Sequence, residues 1–173
     1  MTEKFSSFEE LGKRFGIEKN PASPRQPSTP QNYQHSARTR FMQEGEDYVS
    51  LAEQEILKLG ERKNNGQYDF GSLTTSKIRN ILSMVNDILK EVQILSEDKL
   101  PADIVNRLKH LKVRLIYEAG RDTSRNRAIN RFISDTGLLE AIDEIDGDRK
   151  KFLRYANYLE ALVAYHRFHG GKE

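Results

Sequence analysis

Apolar side chains recur along this chain at spacings of three and four residues, the repeat of one face of an α-helix. The clearest case begins near Thr74 and Thr75, where a hydroxyl can cap the first turn. Its apolar positions are Ile78, Ile81, Leu82, Val85, Ile88, Leu89 and Val92. We therefore predict an amphipathic helix of about five turns in this stretch.

A second amphipathic stretch leads up to Arg121 and has one apolar and one basic side. Intervals of four, three, four and four join its apolar residues: Ile104, Leu108, Leu111, Leu115 and Ala119. On nearly the opposite side, intervals of three, four, three and four join Arg107, His110, Arg114, Tyr117 and Arg121. Pro101 suits the first turn of such a helix. We predict a buried apolar stripe and an outward row of cations around one aromatic ring.

The rest of the pattern predicts four further helical segments, separated by glycines and polar breaks. They run from Arg40 to about Leu59, from the break at Asp122–Thr123–Ser124 through Ile133, from Leu138 to Ile145, and from about Asp148 to His169. Gly60, Gly137 and the Gly170–Gly171 pair stand where helices end. Because no stretch alternates with period two for long enough to make a strand, we predict an all-α bundle of about five to six helices.

The N-terminal region has a different composition. Four of the five prolines lie between Asn20 and Ser36, with no aliphatic residue larger than alanine. The apolar residues from Phe5 to Phe15 fit either a short amphipathic helix or an unstructured segment, since so short a helix is marginal alone. We predict two parts: residues 1–40 as a flexible extension or linker, and residues 41–173 as the helical domain.

Composition excludes several classes of protein. The chain has no cysteine, which excludes disulfides, thiolate metal sites and cysteine nucleophiles. No apolar run approaches the roughly 20 residues that span a bilayer. The first residues lack the apolar core of a secretory signal. We expect a cytoplasmic protein that does not engage a membrane.

Positive charge is concentrated in one stretch. Residues Arg107–Arg131 contain eight Lys/Arg and two Asp/Glu, a local net charge of +6, whereas the whole chain carries +2. Acids nearby in the sequence do not balance this excess, which is typical of a surface that binds phosphates. The alternative is a charged outer helix face that is only solvated.

Candidate catalytic groups are few. His166 and His169 are three residues apart, a spacing compatible with a shared metal ion, but no acidic residue accompanies them in the sequence. The acids between Glu140 and Asp148 lack the spacing of an EF-hand loop and indicate a solvated or docking face. The sequence has no glycine-rich phosphate loop and no serine nucleophile elbow. We expect no catalytic residue, no metal and no cofactor.

Three segments in the expected order carry a family resemblance. They are LTTSKIRNILSMVNDI (Leu73–Ile88), LKVRLIYEAGRD (Leu111–Asp122) and FLRYANYLEALVAYHRFHGGK (Phe152–Lys172). Together they resemble the small subunit of the Csm complex, the type III-A CRISPR effector. The resemblance extends from about Tyr48 to Glu173 and leaves residues 1–40 outside.

The resemblance implies a small helical bundle that stacks in several head-to-tail copies inside a ribonucleoprotein filament of antiviral defence. Such subunits line the groove that holds guide RNA paired with target RNA. Target cleavage is implied to belong to the backbone subunit, and DNA cleavage and cyclic oligoadenylate synthesis to the large subunit. The implied partners are guide RNA, target RNA, these other Csm subunits and further copies of the same chain.

The resemblance also bears on individual residues. Lys77, Arg79, Arg114 and Arg121 match basic positions of the family, whereas Tyr165 and His166 match packing positions. Combined with the basic stretch, the expected RNA-binding residues are Lys77, Arg79, Arg107, Lys112, Arg114, Arg121, Arg125, Arg127 and Arg131.

Two other functions stay open on the residues alone. One is a DNA-binding regulator in which the break between Arg121 and Arg131 forms a helix-turn-helix. The other is a metal-dependent hydrolase that uses His166 and His169.

Overall fold

The structure is a computed structural model and describes residues 37–173. The first element of this range is a 3₁₀ helix, Ala37–Met42. Thr39 and Phe41 of this element are buried, so the expected domain boundary after residue 40 falls inside it. The two N-terminal predictions, a helix from Phe5 to Phe15 and a flexible arm from Asn20 to Ser36, lie outside the described residues.

The predicted helix from Arg40 to Leu59 was wrong at its start, because the chain turns before the α-helix begins. Gly45 adopts a positive φ of 86°, and helix α1 spans Tyr48–Leu59. Asp47 caps α1, since its carboxylate accepts hydrogen bonds from the amides of Val49 and Ser50 at 3.0 and 3.2 Å. The sequence pattern did not reveal the turn, because Phe41 on its N-terminal side is also buried and looks like part of the same apolar stripe.

The expectation of no strand was also wrong, although only a short hairpin forms. Strands β1 (Glu61–Arg62) and β2 (Tyr68–Asp69) pair antiparallel. The amide of Lys63 donates to the carbonyl of Gln67 at 2.7 Å, and Gly66 turns the chain with φ 82°. Strands of two residues are too short to show a period-two pattern.

The two strongest helix predictions were confirmed. Helix α2 spans Thr75–Gln93, and the hydroxyl of Thr74 caps it by accepting from the amide of Lys77 at 3.3 Å. Helix α3 spans Ala102–Arg121 and follows Pro101. All five predicted stripe residues of α3 are buried: Ile104, Leu108, Leu111, Leu115 and Ala119.

Three more helices complete the described part of the chain: α4 (Ala128–Asp135), α5 (Leu138–Ile145) and α6 (Arg149–Phe168). The cap predicted at residues 122–124 is confirmed, because the side chains of Asp122 and Ser124 accept hydrogen bonds from first-turn amides of α4. The helix itself starts only after Arg127, which adopts a left-handed φ of 44°. Gly137 separates α4 from α5 with φ 70°, and a Cβ there would lie 2.5 Å from the carbonyl oxygen of Arg38. This position therefore requires glycine.

Helix α6 is the central element, because it packs against both α1 and α2. Helix α3 packs against α4, α5 and α2, so one side of it faces the core and the other faces outward. Phe152, Tyr155, Tyr158 and Leu159 of α6 are buried. Within residues 37–173 the fold is thus a bundle of six α-helices. Among residues 37–173, no helix has the length and apolarity needed to cross a membrane.

Candidate nucleic-acid interface

An open groove of about 670 Å³ lies between the start of α2 and the end of α3. Its lining comprises Ser76, Lys77, Asn80, Ile81, Glu118, Arg121, Asp122, Thr123, Ser124 and Ile129. Two of the expected RNA-binding residues, Lys77 and Arg121, therefore come from different helices to the same groove. Hydroxyl, amide and cationic groups together provide the donors that a phosphate backbone accepts from.

The structure holds both cations of this groove in defined positions. The ammonium group of Lys77 donates to the carbonyl of Ser72 at 2.9 Å. Arg121 is exposed, with its Nε 3.5 Å from a carboxylate oxygen of Glu118 and its guanidinium carbon 5.9 Å from the ring centre of Tyr117. Surface pairs of this kind are worth little, so Arg121 can exchange Glu118 for a phosphate at low cost.

Asp122 organises the loop that closes the groove. Its carboxylate accepts hydrogen bonds from the amide of Ser124 at 3.1 Å and from the amide of Ile129 at 2.7 Å. The Ser124 hydroxyl in turn accepts from the amide of Ala128 at 3.2 Å. Partial burial opposes ionisation of Asp122, but these donors and the nearby Lys77 together lower its pKa below the ordinary value. Asp122 is thus a structural anion at pH 7.

The basic surface continues along the seam between α2 and α3. A second depression of about 220 Å³ includes Arg107, His110 and Arg114 of α3 beside Asp87 of α2. Since the start of α2 meets the end of α3 at the first groove, the two helices run antiparallel. From Arg107 to Arg121 this surface extends about 21 Å at 1.5 Å per helical residue.

Several expected RNA-binding residues are paired with acids that lie far away in the sequence. Arg107 contacts Glu91 of α2 at 2.6 Å, and Lys112 contacts Asp143 of α5 at the same distance. The excess charge of the Arg107–Arg131 stretch is therefore partly balanced across helices, which the sequence alone did not reveal.

The other expected residues are spread over three environments. Arg79 lies 3.3 Å from Glu173, and Arg131 of α4 lies 3.8 Å from Asp135. The side chains of Arg114, Arg125 and Arg127 are exposed and have no ion pair or hydrogen bond within the described part of the chain. The nine residues thus do not form one patch. Lys77, Arg107, Arg114 and Arg121 share the α2–α3 seam, and the rest lie around it.

The two open alternatives find little support in the geometry. Six residues, 122–127, separate α3 from α4, and Ala128, Ile129, Phe132 and Ile133 of α4 are buried. Arg131 is the one exposed residue of α4, and the others are buried or half-buried. A helix-turn-helix has a shorter turn of three to four residues and presents its second helix to the DNA groove, so α4 is unsuited to recognition.

The histidine pair is engaged in structural contacts. His166 is buried, with Nε2 3.0 Å from the carbonyl oxygen of Leu73 and Nδ1 3.3 Å from the hydroxyl of Thr75. His169 Nε2 lies 2.9 Å from a carboxylate oxygen of Glu53. No cluster of three potential metal ligands exists among residues 37–173. Both nitrogens of His166 are occupied, so this residue cannot ligate a metal without losing these bonds.

Sequence reasoning missed four neutral polar residues of the main groove: Ser76, Asn80, Thr123 and Ser124. Asn80 follows Lys77 by one helical turn, so a helix-face argument centred on Lys77 could have found it. Ser124 could not be found this way, because its position depends on the loop fold that Asp122 sets.

Comparison with known proteins gives a consistent result. A family model described as Csm2 Type III-A matches residues 53–172. Two of the most similar relatives are each named "CRISPR system Cms protein Csm2". The one from Streptococcus thermophilus is 38% identical over 128 residues, covering 74% of this chain and 95% of the relative. The one from Mycobacterium tuberculosis strain H37Rv is 32% identical over 123 residues, covering 71% and 91%.

A third relative of the same name comes from Enterococcus italicus. It is 35% identical over 113 residues, which cover 62% of this chain and 78% of the relative. The family match contains α2, α3 and α6, the helices that carry the three segments of the resemblance. The chain therefore belongs to the Csm2 family of type III-A CRISPR systems.

Proposed function

We propose that this chain is the non-catalytic small subunit of a type III-A CRISPR ribonucleoprotein effector complex, where it binds the RNA backbone. Its partners are guide RNA and target RNA, the backbone and large Csm subunits, and neighbouring copies of the same chain. Family membership supports the place in the complex.

One observation carries the RNA-binding role: cations from two antiparallel helices converge on one outward groove. Lys77 of α2 and Arg121 of α3 both line it, and Arg114 lies farther along the seam. Cations that neutralise phosphates release counterions, so binding is favourable and depends on salt. Because phosphates carry no sequence information, such a surface holds RNAs of any sequence.

The carboxylates of the groove support a non-catalytic role. Of the residues that line it, only Glu118 and Asp122 are acidic. Glu118 is beside Arg121, and Asp122 accepts two backbone amides. A general base needs an accessible lone pair directed at its substrate, and Asp122 has its oxygen atoms committed to the loop. The groove therefore binds RNA without supplying a catalytic group.

Repetition along a filament makes up for the small number of cations in one copy. Each phosphate contact is modest in strength, and several copies on one RNA bind with an avidity that exceeds the affinity of one copy. Head-to-tail stacking of the bundle would align successive seams along the same strand.

Charge reversal on the seam tests the RNA-binding role. Arg114→Glu and Arg121→Glu should weaken binding of two RNAs of unrelated sequence to a similar extent. The log-affinity against log-salt slope should become shallower by roughly 0.7 per lost contact on a single strand. Lys151→Glu is the matched control, because Lys151 is an exposed cation of α6 outside the groove.

Fluorescence anisotropy over a range of salt concentrations would measure these affinities, with circular dichroism to verify folding. Equal binding by parent, seam variants and control at low salt would contradict the proposed RNA contact. Normal RNA binding combined with failure to enter the reconstituted complex would show instead that the seam docks another subunit.

A further inference from the structure

The outer crest of α3 carries an exposed apolar cluster that the phosphate contacts do not explain. Val113, Ile116 and Tyr117 expose 63%, 52% and 63% of their surface. These residues recur at spacings of three and one, so they share one side of the helix. Folded proteins expose single apolar residues commonly, but a cluster beside a binding groove needs a separate account.

Tyr117 lies next to two arginines of the seam. Arg114 precedes it by three residues and Arg121 follows by four, so both are its neighbours on the helix surface. The guanidinium carbon of Arg121 lies 5.9 Å from the ring centre, and Arg114 has no partner within residues 37–173. The Tyr117 hydroxyl likewise makes no hydrogen bond within those residues. One face of the ring is thus offered to solvent between two cations.

This combination determines what chemistry the crest can accept. An apolar protein partner would bury the two arginines without acidic partners for them, which is costly. An unpaired nucleotide satisfies both parts, because its base stacks on an aromatic ring while the adjoining phosphates pair with cations. Stacking is tolerant of sequence, so it fits a surface that does not read bases.

We propose that Tyr117 is a stacking platform for one unpaired RNA base, with Arg114 and Arg121 contacting the phosphates on either side. This inference rests on the proposed RNA-binding function and adds a base contact to it. Val113 and Ile116 extend the platform on the side away from α2. The seam then distinguishes a strand with an accessible base from a bare phosphate chain.

The test uses the full 173-residue chain and two short single-stranded RNAs, one intact and one in which the central nucleotides are abasic. The parent should bind the abasic RNA more weakly by roughly fivefold to a hundredfold, the range expected for one stacked base. Tyr117→Leu, which keeps an apolar side chain, should bind both RNAs equally and at the weaker level. Tyr117→Phe should behave as the parent.

Phe168→Leu is the matched control, because Phe168 is an aromatic residue with 79% exposure at the end of α6 and does not line either depression of the seam. It should leave both affinities unchanged. A fluorescent adenine analogue in the intact RNA gives a second readout, since stacking on Tyr117 should quench it in the parent and not in Tyr117→Leu.

Two results would overturn the stacking proposal. The first is that the parent binds intact and abasic RNA equally, while Arg114→Glu weakens the binding of both. That result would support the proposed phosphate contact and refute only the proposed base contact. The second is a Tyr117→Leu protein with unchanged RNA affinity but altered sedimentation, which would assign the crest to a second copy. If Arg114→Glu has no effect on either RNA, the proposed function itself fails.

Discussion

The rings of His166 and Tyr117 lie in opposite environments. At His166 the ring is buried, both nitrogens have oxygen partners, and the Phe70 ring lies 4.4 Å away between centres. At Tyr117 the ring is exposed, and its hydroxyl makes no hydrogen bond in the described residues. A ring with all its contacts inside the protein serves the fold, whereas a ring without them is available to a ligand.

The His166 region also ties distant parts of the chain together. The amide of Gly171 donates to the carbonyl of His166 at 2.8 Å, and the amide of Thr75 donates to the carbonyl of Lys172 at 2.7 Å. The C-terminal residues thereby satisfy the first turn of α2. In contrast, the crest of α3 makes no such link, because the ring contact of Tyr117 is with Arg121, one turn along the same helix. Exposure and unmet bonding capacity together therefore separate a binding surface from a structural one.

The largest effect is expected for His166→Ala. The change removes a fully buried ring and leaves the Leu73 carbonyl and the Thr75 hydroxyl without their partner. We expect a loss of about 3 kcal/mol or more in the free energy of unfolding, measured by urea denaturation. Tyr117→Ala is the comparison and should change it by less than about 0.5 kcal/mol. Similar losses at both sites would contradict the distinction between a structural ring at His166 and a ring at Tyr117 that the fold does not need.

A smaller loss is expected for Asp122→Ala, which lies between the two regions. Two backbone amides lose their acceptor, those of Ser124 and Ile129. The free energy of unfolding should fall by about 1–2 kcal/mol. Glu97→Ala, at an exposed loop carboxylate, provides the control and should be nearly neutral. A neutral Asp122→Ala would show that the loop holds its shape without this anion.

The burial of His166 should make the thermal stability of the protein depend on pH. Burial lowers the pKa of His166 below the ordinary value of 6.5, so the unfolded state binds its proton more readily than the folded state. Stability from this group is full above pH 6.5 and declines as the pH falls towards the folded pKa. Between pH 7.5 and 5.5 the parent should lose more Tm than His166→Gln.

The remaining histidines are the same in both proteins, so their contribution cancels in that comparison. Equal Tm losses in the parent and in His166→Gln would show that His166 charges inside the fold without penalty.

The smallest effect is expected for Gly120→Ala on the crest. A Cβ at Gly120 meets no atom within 4 Å, whereas a Cβ at Gly171 would overlap the His166 ring. Alanine is a better helix former than glycine, so the free energy of unfolding, measured by thermal denaturation, should rise by about 0.5–1 kcal/mol. Gly171→Ala is expected to destabilise the protein. A destabilising Gly120→Ala would mean that the crest is packed after all.

The sequence predicted the long amphipathic elements well, because a buried stripe repeated over several turns overrides local ambiguity. The five stripe residues of α3 and the Thr74 cap of α2 were confirmed. Short features failed for a physical reason. The turn around Gly45 and the two-residue strands carry too little pattern to compete with the helical periodicity on either side.

The candidate site was predictable only in part. Lys77 and Arg121 line one groove, but Lys77 lies outside the basic stretch and was named only from the family resemblance. The ion pairs of Arg107 with Glu91 and of Lys112 with Asp143 join helices that the sequence separates. Such pairs depend on tertiary packing, so the charge count along the sequence overstated the unpaired positive charge of this surface.

The central position of α6 has a consequence for biosynthesis. Helices α1 and α2 pack against α6, yet the ribosome makes them first and α6 well afterwards. At about 5–20 residues per second, the apolar faces of both helices stay uncovered for seconds on the nascent chain. Their native partner emerges only with residues 149–168. The timing of α6 synthesis therefore sets how long these apolar faces stay exposed on the nascent chain.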